Sequence, residues 1–269
     1  MRRKSAWTVS VLAMIVFAIP GIKAQTVPSD AELVEISERG RALAEYDQAV
    51  WHASDALKTA NPKTAEGQQY LAKKENGRWT VAFGALNADK SKFLIGYEAE
   101  QLEKPKEFEV KKVEPAKEET GFYLFAVRAL EMASSDFGHA NRPYNTAVLP
   151  VIGPGAKDQP GSLYVYFYPA QTKAGIYPLG GDIRYLVSAD GTKIIEKRQM
   201  HNSIIEVAPV KGKKIVAGLH THVLAEVPED TDVLHVLQKD PPVPEMIGTR
   251  HFVYEVAIDG TIRIEKQKK

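Results

Sequence analysis

The chain has 269 residues, 35 lysines and arginines against 34 acids, 44% hydrophobic residues and no cysteine. So even a charge balance carries no footprint for nucleic acid or an anionic lipid surface, and the lack of cysteine excludes disulfides, thiolate chemistry and thiolate metal sites. The length allows one large domain or two small ones, each with a core of its own.

The chain opens with Arg2, Arg3 and Lys4, continues in an apolar run from Ala6 to Pro20 broken only by Thr8 and Ser10, and then reads Gly21-Ile22-Lys23-Ala24-Gln25. A basic start, an apolar stretch short for a bilayer and a small residue at its end predict a secretory signal peptide over residues 1–24. The expected location is therefore periplasmic or secreted. No cysteine follows to carry a lipid anchor, and no later segment is apolar for long enough to span a membrane.

Ser29-Asp30-Ala31-Glu32 has the form of a capping box, and behind it Leu33, Ile36, Leu43, Tyr46, Val50 and Leu57 recur near one side of a helical period. This predicts a helix over Asp30–Thr59, stopped by Asn61-Pro62, with a short second helix over Ala65–Lys74. Two strands follow, Trp79–Gly84 and Lys92–Tyr97, around the polar turn Asn87-Ala88-Asp89. Glu119–Ser135 forms the next predicted helix, with Phe122, Phe125, Leu130 and Ala133 as its apolar set.

The stretch Asn141–Pro160 has four prolines, two glycines and no period, and is predicted to be a linker or irregular loop. Beyond it the texture is mostly strand: Leu163–Tyr168, Ile183–Val187, Lys193–Glu196, Ser203–Val207, Lys214–Leu219 and Phe252–Ile258, with one helix at Asp232–Leu237. Asp190-Gly191 and Asp259-Gly260 each separate two alternating apolar runs, the pattern of a tight hairpin turn. The predicted class is α+β. A helical N-terminal region with a small antiparallel sheet (25–140) precedes a strand-rich domain (145–269).

The sharpest chemical feature is Gly218-Leu219-His220-Thr221-His222 at the end of a strand. Residues two apart on a strand share a face, so both imidazoles can reach one ion. Asp232 follows at a helix start, where an acid also answers the helix dipole. Two imidazoles and a carboxylate leave a fourth position open for water, the ligand count of a catalytic zinc. If Lys211-Gly212 closes a hairpin between Ser203–Val207 and Lys214–Gly218, His201 lies across from His222 and becomes a third imidazole; a one-residue slip turns it away. His235 shares a helical face with Asp232, and solvent exposure is its simplest fate.

The order His220-Thr221-His222-Val223, a loop, Glu229-x-x-Asp232 opening a helix, Met246-Ile247-Gly248 and the hairpin at Asp259-Gly260 resembles the JAB/MPN (JAMM) metalloprotease-like fold over about the last hundred residues. The resemblance implies Zn2+ held by His220, His222 and Asp232. At the family's proline this chain has Val223, and at its serine Glu229. The segment Tyr177–Asp182, where the family carries its glutamate base, offers Asp182 instead. Asp182 and Glu229 are thus the carboxylates left as catalytic candidates, and without a glutamate base the resemblance implies a fold and an ion rather than peptide hydrolysis. Two functions follow as expectations: a zinc-dependent hydrolase or peptidase, or a module that binds a protein or peptide partner.

Overall fold

A computed structural model describes residues 27–60, 68–151, 161–208, 212 and 215–268. The expected signal peptide, the Asn61-Pro62 stop, Ala65–Gly67, much of the predicted loop (152–160), Pro209–Lys211 of the expected turn and Lys214 lie outside these residues. The described chain is α+β, with three helices and fourteen strands in four sheets. None of these helices is long and apolar enough to cross a membrane.

Helix α1 (Asp30–Ala60) begins as its capping residues require, with the Glu32 N–H donating to Ser29 Oγ at 3.2 Å. Its predicted apolar set is buried throughout. An antiparallel sheet follows in simple order: β1 (Gln69–Glu75), β2 (Arg78–Leu86), β3 (Phe93–Gln101) and β4 (Phe108–Glu119). The predicted helix over Ala65–Lys74 is corrected here. Leu71 and Ala72 face Ala82 and Val81 of β2, and that pairing outweighs a local helical preference. Helix α2 (Phe122–Phe137) buries Tyr123, Leu124, Ala126, Val127, Leu130 and Ala133, so its buried face is rotated away from the predicted Phe122 and Phe125, which are half-buried.

The second sheet has the order β5-β6-β8-β9, from β5 (Tyr144–Pro150), β6 (Leu163–Pro169), β8 (Ile183–Val187) and β9 (Ile194–Gln199). Strand β5 occupies about a third of the predicted loop, because Ala147, Val148 and Leu149 find partners on β6 that no local pattern announces. The Asp190-Gly191 turn closes β8 onto β9, with the Ser188 N–H donating to Lys193 O at 2.9 Å. Two short strands, β7 (Leu179–Gly180) and β10 (Ile204–Ile205), pair antiparallel. The last sheet runs β11-β12-β13-β14: β11 (Gly218–Thr221), β12 (Glu245–Gly248), β13 (Phe252–Val256) and β14 (Ile262–Gln267). β11 and β12 are parallel, joined through helix α3 (Asp230–Gln238), and Asp259-Gly260 turns β13 into β14. The expected hairpin between Ser203–Val207 and Lys214–Gly218 does not form: β10 pairs with β7 and β11 with β12.

Three apolar clusters hold these layers together. Leu43, Tyr46, Val50 and Leu57 of α1 pack with Val81, Phe83 and Tyr97 of the first sheet, Leu149 and Tyr166 of the second, and Leu234 of α3. Helix α2 packs between the first two sheets, with Phe93 and Ile95 on one side and Val165, Phe167 and Tyr185 on the other. Leu33 and Ile36 of α1 join Val233 and Val236 of α3 and Ile247 and Tyr254 of the last sheet. Each such large buried side chain contributes about 1.5–3 kcal/mol relative to exposure, so α1 acts as a spine shared by the first and third clusters. At its crossing with α3 only glycine fits: a Cβ on Gly40 would lie 2.4 Å from Val233 Cβ and 2.7 Å from Asp230 O.

Candidate metal centre

Four side chains converge behind β11. One ligand atom each from His201, His220, His222 and Asp232 lies within 4.8 Å of all the others, and the side chains are 10%, 2%, 2% and 0% exposed. The four can hold one metal ion.

Each residue has an identifiable support. His220 lies on β11 opposite Ile247, and its Nδ1 meets Glu245 Oε1 at 3.0 Å. Glu245, at the start of β12, faces Gly218, where a Cβ would sit 1.8 Å from its Oε2; that glycine leaves room for the carboxylate to fold across to the imidazole. Lys239 holds the other oxygen of Glu245 at 2.9 Å. His222 follows directly, its backbone N–H donating to Gly248 O at 2.8 Å and its Nδ1 lying 3.0 Å from Val227 O. Asp232 is in the first turn of α3, where its Oδ2 accepts the Glu229 N–H at 2.6 Å.

His201 arrives by a route different from the predicted one. Strands β7 and β8 flank Asp182, and β9 and β10 flank His201. Because β8 pairs with β9 and β7 with β10, the two residues are set face to face, with His201 Nδ1 2.7 Å from Asp182 Oδ1. The Met200 N–H donates to Asp182 O at 3.1 Å and tightens the same link.

The protonation pattern follows from these partners. A carboxylate or carbonyl at each Nδ1 demands an N–H there, which leaves each neutral imidazole with a bare lone pair on Nε2. Those lone pairs point at one another, at 2.8 Å between His201 and His222 and 3.1 Å between His220 and His222. Asp232 Oδ1, buried and without a hydrogen-bond donor among the described residues, faces His201 Nε2 at 3.3 Å and His220 Nε2 at 3.1 Å. Four electron-rich atoms this close repel unless a cation lies among them, either a proton or a metal. Accordingly, burial works against an imidazolium at His201, but Asp232 and Asp182 outweigh it and hold its pKa up at about 11 in the metal-free protein. Burial likewise opposes charge at His220, while Asp232 and Glu245 raise its pKa to about 9. Asp232 itself is penalised by burial yet held well below the usual carboxylate range by the three imidazoles.

The sequence-derived ligands His220, His222 and Asp232 are thus brought together, and His201 joins them. Of the two catalytic candidates, Asp182 contacts His201 Nδ1, while Glu229 is gripped by Arg198 at 2.7 and 3.1 Å. His235 is not solvated as its helical position suggested. It is buried, because α3 is enclosed on nearly all sides, and burial, with Lys239 nearby, pulls its pKa down to about 4. The intervening acid, Asp230, anchors α3 through Arg39 at 3.0 Å, the Tyr166 hydroxyl at 2.9 Å and Arg184. Sequence reasoning passed over Glu245 altogether; its position between Pro244 and an apolar strand carried no local sign of a role.

The fold and site together describe an α+β protein with a buried cluster of three histidines and one aspartate. No protein-family model, curated protein or solved structure matches the chain.

Proposed function

We propose that this chain is an exported metal-binding protein whose C-terminal region, on a JAMM-like strand–helix–strand unit, holds one zinc ion in a closed site and serves as a module for binding a protein or peptide partner. Export rests on the signal-like pattern of residues 1–24. The JAMM-like reading draws support from His220 and His222 at the end of β11, Asp232 opening α3, and β12 returning parallel to β11.

The observation that carries the proposal is the third imidazole. His201 supplies a fourth protein ligand, and four protein ligands are the count of a structural zinc rather than a catalytic one. The spacings that His222 and Asp232 make to the other members, 2.8 to 3.3 Å, approach the edge of about 3.3 Å that a tetrahedron with zinc bonds of about 2.0–2.1 Å requires. Fixed partners on all three Nδ1 atoms are the usual second layer of a metal site. With Asp182 and Glu229 engaged by His201 and Arg198, neither carboxylate is free as a general base. Leu219 and Val223, 77% and 84% exposed beside the ligands, favour a surface that meets a partner.

A hydrolase reading keeps one observation in its favour. His201 has the most exposed side chain of the four ligands, and its departure would leave a three-ligand ion with Asp182 nearby to serve a bound water. Elemental analysis of the protein beginning at Gln25 tests the main proposal. About one zinc per chain, lost in the His220→Ala/His222→Ala double variant, is the expected result. Folded protein that takes up no metal after zinc supplementation overturns it.

A further inference from the structure

A second concave site lies between α1, β1, β5, the end of β6 and the end of α3, with a volume of about 280 Å³. Tyr46, Trp51, Tyr70, Tyr168 and Tyr177 line it, and Asp47 is the one carboxylate among its described lining residues, which include no lysine, arginine or histidine. The Tyr168 hydroxyl donates to Asp47 Oδ1 at 2.7 Å, Gln238 Nε2 donates to Oδ2 at 2.8 Å, and Asn145 adds a third hydrogen bond. All three partners are neutral. They orient the carboxylate and leave it lone pairs to spare, but burial outweighs them and pushes its pKa up, because no cation faces it among the described lining residues.

Trp51 adds an independent observation. It is 55% exposed at the rim of the cavity, stacked on His52 with ring centroids 5.1 Å apart, and it fills no core. At the cavity mouth this ring is in reach of a guest, and Trp presents the strongest aromatic face for a cation. Aromatic faces carry a negative quadrupole, so they and a carboxylate favour the same kind of guest.

We infer that this cavity binds a small organic cation, an alkylammonium or quaternary ammonium group, with Asp47 as its counter-charge and Trp51 and the tyrosines as its aromatic wall. A saccharide is the rival guest, since aromatic rings beside amide side chains also suit sugars. The absence of any basic lining residue among those described favours the cation, because only a cationic guest would supply the partner that the ionised form of Asp47 lacks in its buried position.

The test is isothermal titration of the chain beginning at Gln25 with choline and tetramethylammonium, alongside the neutral carbon isostere of choline and N-acetylglucosamine. Saturable binding of the cations is expected, weakened about tenfold in Asp47→Asn and in Trp51→Ala, with the isostere much weaker. Trp51→Ala removes an exposed side chain, so it remains informative should Asp47→Asn fail to fold. Absence of saturable cation binding, equal binding of the isostere, or binding of the sugar in place of the cations would each overturn the inference.

Discussion

Asp182 Oδ1 and His201 Nδ1 lie 2.7 Å apart in the interior, and that contact fixes one side of the His201 ring from a residue outside the four-residue cluster. Asp182→Ala removes the group that holds the His201 ring in place and keeps its Nε2 bare. Zinc affinity, measured by competition with a chromophoric chelator, is expected to fall roughly 10–100-fold, as is usual for the outer layer of metal sites. Unchanged affinity would mean that packing alone orients His201.

Removing His201 itself separates the two functional readings. In His201→Ala, His220, His222 and Asp232 remain, so the ion is expected to stay bound, more weakly, with one position open to water. Cobalt substitution followed by azide titration reads this directly: a spectral response in the variant and none in the parent protein marks a closed site made open. A response already present in the parent would return the hydrolase reading to first place.

Gly40 offers a test of how α1 supports the site from outside it. The added methyl of Gly40→Ala meets Val233 Cβ and the Asp230 carbonyl, neither of which can move without shifting α3. A loss of about 1–3 kcal/mol, the usual cost of overpacking, is expected in denaturant unfolding. Zinc affinity should fall with it, because Asp232 rides on the same helix. A drop in stability with affinity intact would show that α3 holds Asp232 independently of α1.

The metal-free protein is expected to lose stability at alkaline pH. The pKa values of His201 and His220 are held up at about 11 and about 9 in the folded chain, against about 6.5 for an unfolded histidine. Groups raised in this way contribute fully below the unfolded value, and their contribution is lost as pH climbs through the folded values. Thermal melts of chelator-treated protein should therefore show a falling Tm from about pH 7 to 10. The zinc-loaded protein, whose imidazoles bind as neutral ligands, should lack that decline, and zinc uptake near neutral pH should release protons. Parallel profiles with and without chelator would indicate that no ion occupies the cluster.

Much of the architecture is local and hence visible along the chain. The apolar stripe of α1, the Ser29 cap, the two Asp-Gly turns, and His220 and His222 on one strand face all depend on residues within a few positions of one another. Their physics is that of helical and strand periods and of turns that need particular residues. The same reasoning missed β1 and β5, whose stability comes from neighbours contributed by other segments.

The composition and spacing of the sequence by themselves determined the α+β class and three of the four converging side chains. Tertiary structure alone decided the fourth. His201 reaches the cluster because β8 meets β9 and β7 meets β10, not through the hairpin that local turn chemistry suggested. The same long-range pairing put Asp182 behind His201, and the parallel pairing of β11 with β12 brought Glu245 behind His220. Strand pairing between distant segments is set by which faces can be buried together, a property of the whole core that no short window of sequence contains.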